Sequence, residues 1–357
     1  MFVEFDVPLS SRTSFGIGGP AAMWFKVEPD SLPSAVQFAK RLGGPIVVMG
    51  AGTNILAADD ALSGIVIRVG MQSPPNILTS KILPNNLVEV VASACTPWDA
   101  FVAHTVKYQW QGLECLSGIP GTVGAAPVQN IGAYGQQVSD SIIRVKAYDL
   151  QQGAWRTFTR GECEFGYRSS IFSRAENLDR YIITEVTMYL VRGGNPYRDH
   201  EEIRRSTGVC PTIHRVRDCV LRLRHQKGMI LGQPDAHPSA GSFFKNPTVS
   251  VIELEHVFDA QAVIAGANRW WWGVAEGARV SAAYLIEQAG FSKGYVRGKA
   301  GISPKHALAL VNLEDATAAD IIALAREIQE GVAAKFSVVL EPEVRLVGFP
   351  EYPLLQR

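Results

Sequence analysis

Short strand-like runs alternate with helical patterns along this chain, which predicts an α+β protein of two or three packed domains. Two further observations agree. At 357 residues the chain is longer than one hydrophobic core usually serves. Its 47% hydrophobic and 19% charged residues describe a globular chain, neither disordered nor fibrous.

The elements follow from local chemistry. Ala22 to Val27 reads as a strand, and Asp30 or Ser31 then caps a helical pattern through Leu42 that stops at Gly43 and Gly44. Pro45 to Met49 is a second strand, running into the small-residue turn Gly50-Ala51-Gly52-Thr53-Asn54, and Ile65 to Val69 is another. Residues 71–86, rich in Pro and Asn, read as a linker or exposed hairpin and mark the first boundary. Val88 to Ala94 is a strand, after which Thr96 and Pro97 open a helix as N-cap and first-turn proline. A glycine-rich stretch runs from Gly112 to Gly135, and strands recur at Val145 to Asp149, Trp155 to Phe158 and Tyr181 to Leu190. Residues 191–240, dense in Arg, His and Pro, read as an irregular connector or lid. A last helix is announced by Thr317 and Asp320 at capping-box spacing, with Ile321, Leu324, Ala325, Ile328 and Val332 on one face.

Composition excludes several classes. Thirty-four basic residues balance thirty-four acidic ones, which gives no general attraction for nucleic acid or anionic lipid. No window reaches the roughly eighteen uninterrupted apolar residues of a membrane helix. Met1 to Leu9 carries Glu4 and Asp6 and no base, unlike a secretory signal. Cys95, Cys115, Cys163, Cys210 and Cys219 are irregularly spaced with no Cys-x-x-Cys pair, so they read as reduced, buried thiols of a cytoplasmic protein with no metal site. His200-Glu201-Glu202 lacks the second histidine of a zinc-protease motif, and Gly-Lys-Ser/Thr is absent.

Five segments could carry chemistry. Gly50-Ala51-Gly52 follows a strand, but Ile55 stands where a dinucleotide fingerprint needs its third glycine, leaving an anion-facing turn or a plain strand connection. Leu116 to Ala126, continued by Gln129 to Gly135, has so little Cβ bulk that backbone could closely approach an extended ligand, and with the first turn it suggests one pyrophosphate-bearing cofactor between two subdomains. Gly166-Tyr167-Arg168 offers a guanidinium fork suited to a carboxylate, or a surface ion pair. Ala240 to Pro247 sets Ser242 between a glycine and two phenylalanines; without Gly-x-Ser-x-Gly it is a proton donor or a turn serine, not a hydrolase nucleophile. Glu341 and Glu343 flank Pro342 on one strand face, beside Arg345 as the ordinary ion-pair partner. Trp270-Trp271-Trp272 reads as packing or a contact patch.

In this order, Gly-Ala-Gly-Thr-Asn, Gly-Ile-Pro-Gly-Thr-Val-Gly-Ala, Gly-Tyr-Arg-Ser-Ser-Ile-Phe, Ala-Gly-Ser-Phe-Phe-Lys-Asn-Pro and Leu-Glu-Pro-Glu-Val-Arg resemble the motifs of the UDP-N-acetylenolpyruvoylglucosamine reductase family, from Thr13 to Arg345. The resemblance implies a flavin fold of the vanillyl-alcohol-oxidase type in two subdomains, 1–70 and 71–225 with its lid from about residue 191, and a substrate domain at 226–357. Gly50, Ala51, Gly52, Thr53, Asn54 and Leu56, with Ser117, Gly118, Ile119, Pro120, Gly121, Thr122, Gly124, Ala125, Asn130, Gly132, Ala133 and Tyr134, would hold non-covalent FAD, and Arg224 would add a cation to its diphosphate. Arg168 would hold and polarise the substrate carboxylate, Ser242 would donate the proton and Glu343 would act beside them. Tyr167, Tyr197, Lys227, Asn246 and His306 would contact substrate, Tyr197 as the covering tyrosine of one subclass and His306 where the family often has glutamine. The implied partners are NADPH and the UDP-enolpyruvyl sugar, with a monomer favoured. The residues 198–240 are longer than that subclass leads one to expect. The alternatives are an FAD-dependent oxidase or dehydrogenase of the same fold, or a non-catalytic protein that binds flavin or a nucleotide sugar.

Overall fold

The computed structural model describes residues 1–70, 77–208, 211–258 and 270–356. Contacts divide the chain into two compact units, each assembled from separate stretches. The first comprises Met1–Val7, Ala21–Gly52 and Ser63–Leu231; the second comprises Pro8–Pro20, Thr53–Leu62 and Gly232–Arg357.

The first unit is built on two sheets. In the smaller, strands Phe2–Pro8, Pro20–Val27, Leu62–Val69 and Ile46–Val48 lie in that spatial order. Helix α1 (Leu32–Leu42) sets Leu32, Ala35, Val36 and Ala39 at helical spacing onto Phe25, Val27, Ile65 and Ile67, and ends at Gly43 with φ +79°. The larger sheet runs Ala154–Thr159, Ile142–Asp149, Tyr181–Arg192, Leu87–Ser93, Ile77–Ile82, with Trp110–Gln111 added to the Tyr181–Arg192 strand. Of the two readings of residues 71–86, linker or exposed hairpin, the described part is the hairpin: the largely exposed strand Ile77–Ile82 turns at Pro84–Asn86 and pairs with Leu87–Ser93, while residues 71–76, like Cys210, lie outside the described residues.

Helix α2 (Trp98–Lys107) buries Trp98, Phe101, Val102 and Val106 against this sheet. Its N-cap is Pro97 and not the expected Thr96. Thr96 is buried one residue too early, where its carbonyl accepts from Val123 N at 2.9 Å and ties the glycine-rich loop to the helix start. The stretch expected to be irregular holds two helices, α3 (Glu201–Thr207) and α4 (Ile213–Gln226). Thr212 Oγ1 accepts from Arg215 N at the start of α4, and Val216, Cys219 and Val220 pack with Cys115 and Ile203.

The second unit packs α5 (Val251–Val257), α6 (Ala282–Gln288) and α7 (Ala318–Phe336) with two three-stranded sheets. The predicted capping box of α7 is present: Thr317 Oγ1 accepts from Asp320 N at 3.1 Å and Asp320 Oδ2 accepts from Thr317 N at 3.0 Å. Strand Ile55–Ala57 pairs in parallel with Arg345–Val347, which is why residues 53–62 belong to this unit. Trp270 stacks on Tyr284, itself stacked on Phe258, while Trp272 stays exposed. Among the described residues no helix is long and apolar enough to cross a membrane.

Candidate active site

In the first unit the two glycine-rich segments meet. A Cβ on Gly50 would lie 3.4 Å from Ala125 Cβ and 3.6 Å from Thr122 Oγ1, so the turn after Ile46–Val48 lies directly against the long loop. Gly124 needs its missing side chain: a Cβ there would fall 2.4 Å from Ala94 Cβ, and its N–H donates to Ala94 O at 2.9 Å. The amide-lined cradle is narrower than the composition implies. Gly118, Val123, Gly124 and Ala125 already donate to Asp99, Thr96, Ala94 and Thr122. The Ser117 hydroxyl is likewise committed, donating to Glu114 O at 2.7 Å. Asn130 has φ +44° and is buried; its amide donates to Gln137 Oε1 and Gly166 O and accepts from Ser139 N. Asn130 thereby joins the loop to the Arg168 turn.

Arg168 sits in that turn at φ +49°, held by paired bonds between Gly166 and Ser169. Its Nη2 donates to Gly132 O at 2.8 Å, its guanidinium lies over the Tyr167 ring at 5.4 Å, and a Cβ on Gly132 would stand 3.1 Å from Nη1. A side chain at residue 132 would press on the guanidinium and require it to give by a few tenths of an ångström.

Helix α4 ends in a second cationic group. Arg224 is buried, donates from Nη2 to Met229 O at 3.1 Å, and its Nε has no hydrogen-bond partner among the described residues. Burial lowers its pKa, against the opposing charges of Tyr134 and Asp99. A buried arginine with a spare donor, beside a glycine loop that excludes side chains, fits an anionic group such as a flavin nucleotide diphosphate. Tyr134 presents its ring to Lys227 Nζ at 5.4 Å and to the His200 ring at 5.3 Å, while Lys227 pairs with Glu202 at 3.2 Å. Tyr197 N donates to Glu114 Oε1 at 2.8 Å, and Tyr197 crowds the open side of Gly135. Burial pushes the Tyr134 phenol up to about 12, raises Tyr197 and lowers His200. Tyr134, expected at the cofactor, thus lies beside Lys227, expected at the substrate, and its charge acts on Arg224. Sequence reasoning missed Glu114, His200, Glu202, Asp99 and Arg217, whose only local signal is charge near a helix end or glycine loop.

In the second unit, Ser242 forms a bridge with Ala309, and Phe243 N donates to Leu308 O at 2.7 Å. On its other edge Phe243 O accepts from Glu343 N at 2.7 Å, so Ser242 and Glu343 stand on adjacent backbone segments. Buried Phe243 and Phe244 anchor the segment. Asn54 Nδ2 donates to Glu343 O at 3.1 Å and Asn54 O accepts from Arg345 N, which fixes the glutamate's backbone from the Gly50 turn's end. Glu341 pairs with Lys245 at 3.6 Å. Asn246 Oδ1 accepts from Ala282 N at the start of α6, and His306 lies in the turn leading to Ala309. Leu56 is wholly buried in this unit's core. Arg168 belongs to the first unit; Ser242 and Glu343 belong to the second.

Residues 233–347 match the family model of the UDP-N-acetylenolpyruvoylglucosamine reductase C-terminal domain, and residues 20–159 match that of an FAD binding domain. A UDP-N-acetylenolpyruvoylglucosamine reductase of Thermobifida fusca is 41% identical over 96% of this chain and 97% of its own. One from Cutibacterium acnes is 39% identical over 96% and 90%. Among solved structures, the UDP-N-acetylenolpyruvylglucosamine reductase of Thermus caldophilus superposes with a TM-score of 0.65 at 28% identity, covering 97% of this chain and all of that one.

Proposed function

The chain belongs to the UDP-N-acetylenolpyruvoylglucosamine reductase family, and from that premise we propose that it reduces UDP-N-acetylglucosamine enolpyruvate to UDP-N-acetylmuramate for peptidoglycan synthesis, using FAD and NADPH. The structural observation that supports this reading is the meeting of the Gly50 turn with the 122–125 part of the long loop, whose Gly118 lies against a buried Arg224 with a spare donor. Residues 1–70 and 71–225 carry the cofactor in this reading, and 226–357 the substrate. FAD, when bound, supplies the hydride chemistry that links NADPH to the enolpyruvyl group.

The protein's own part is electrostatic and protic. Arg168, oriented by Gly132 O, binds the substrate carboxylate and meets the negative charge that spreads into it as the double bond is reduced. Ser242 delivers a proton to the adjacent carbon. A serine hydroxyl is a weak acid, so it serves only against a strongly basic enolate, and Glu343 beside it completes the proton-handling pair. Tyr167, Lys227, Tyr197, Asn246 and His306 bind the sugar nucleotide. The enzyme works in this reading as a cytoplasmic monomer.

Stopped-flow spectroscopy of Ser242→Ala tests the assignment. NADPH should bleach the flavin at the wild-type rate, while reoxidation by the enolpyruvyl substrate slows by more than about tenfold, or ~1.4 kcal/mol of barrier. Reoxidation within that factor of wild type would remove the proton-donor role, and a colourless protein that binds no FAD would remove the function.

A further inference from the structure

One carboxylate in the first unit joins three pieces of the cofactor cradle. Asp99, in the first turn of α2, accepts from Gly118 N at 2.6 Å through Oδ1 and takes a two-pronged contact from Arg217, 2.7 Å to Oδ1 and 2.8 Å to Oδ2. Arg217, Leu221 and Arg224 recur at helical spacing along α4, so the face that carries the ion pair also faces the loop. The contact is tight. Gly118 has φ +71°, and a Cβ there would stand 2.9 Å from Leu221 Cδ2, 3.3 Å from Arg224 Cδ and 3.4 Å from Arg224 Nε.

We infer that Asp99 and Arg217 act as a clamp that positions Gly118 and Arg224 for the diphosphate of the flavin cofactor, and that they are positioning residues for its binding. The inference rests on the FAD reading above. The chemistry accounts for each part. Gly118 gives its N–H to Asp99, so this amide sets where the loop lies and leaves the ligand-facing charge to Arg224. Arg217 neutralises Asp99 and ties α4 to α2, which stops the helix from sliding and carrying Arg224 away from the loop. Arg224 keeps Nε unused and Nη2 on Met229 O, so its orientation comes from the helix and not from an acidic partner in contact.

A readout confined to the ADP portion of the cofactor separates this role from general stabilisation. The full chain, freed of flavin, is titrated with FAD and with riboflavin, which lacks both phosphates and the adenosine. Wild type, Asp99→Asn, Arg217→Gln and Arg217→Lys are compared, each with its thermal unfolding midpoint. The clamp requires Asp99→Asn and Arg217→Gln to weaken FAD binding about tenfold or more while riboflavin affinity stays within about twofold, and Arg217→Lys to recover part of the loss. Equal weakening of both ligands, or unchanged FAD affinity in either variant, would overturn it. If Asp99→Asn does not fold, Arg217→Gln decides by the same ratio. Wild-type protein that binds no FAD would overturn the cofactor reading itself, a result distinct from failure of the clamp alone.

Discussion

At the scale of single residues, the glycines divide into those that free the chain to turn and those that leave room for a neighbour. Gly132 is of the second kind, because Arg168 Nη1 would sit 3.1 Å from its Cβ. Gly132→Ala should therefore displace the guanidinium, weaken its bond to the residue 132 carbonyl, and lower kcat/KM for the enolpyruvyl substrate by about tenfold or more, equivalent to ~1.4 kcal/mol. Steady-state kinetics at saturating FAD check this, and an unchanged kcat/KM would contradict it. Much of this residue-level site was legible in the sequence, because Gly-Tyr-Arg and the glycine loop are contiguous. Asp99 and Glu114 were not. Their distant partners, Gly118 N and Arg217 for one and Tyr197 N for the other, are chosen by tertiary packing that no local pattern encodes.

At the scale of elements, α7 shows a helix written plainly in the sequence. Its apolar stripe, Ile321, Leu324, Ala325, Ile328 and Val332, is wholly buried, and its first turn is capped by Thr317 and by Asp59, whose carboxylate accepts from Ala318 N at 2.7 Å and Ala319 N at 3.1 Å. Thr317→Ala should cost about 1 kcal/mol and lower the unfolding midpoint by about 2–4 °C, read by calorimetry against wild type. Helix α4 shows the opposite case. Arg215, Arg217, Arg222 and Arg224 fill so much of it that charge obscured the stripe of Ile213, Val216, Cys219 and Val220. Periodicity was present there, but the loop-like composition of its flanks outweighed it. Thr96 failed as a cap for a different reason: a threonine one residue before a proline suits either role, and burial of the Thr96 backbone under the glycine loop settled it.

At the scale of the whole molecule, the titrating groups set how the protein meets acid. Burial alone would raise Asp99 and Asp149, but the guanidinium of Arg217 in one case and Arg180 in the other, with backbone N–H donors, outweighs it and holds both below the usual carboxylate range. Asp320 is lowered chiefly by the Thr317 N–H and hydroxyl. Depressed carboxylates stabilise the fold fully above their unfolded pKa of about 4 and lose that stabilisation as pH falls through the folded values. His104 and His200, lowered by burial, act in a higher window, since the unfolded chain takes the proton first once pH drops below about 6.5. Denaturant unfolding at a series of pH values should therefore show stability declining in two stages, a shallow one below about 6.5 and a steep one below about 4. Asp149→Asn should lower stability at neutral pH and flatten the steep stage; an unchanged acid limb would contradict the assignment.

The parallel pairing of Ile55–Ala57 with Arg345–Val347 carries a consequence for biogenesis. A ribosome makes residues 55–57 long before residues 345–347. The earlier strand stays without its partner until all of the intervening chain has been made. The second unit thus completes itself only as a late event, and it is the nascent protein, with Leu56 still in water, that chaperones have reason to meet.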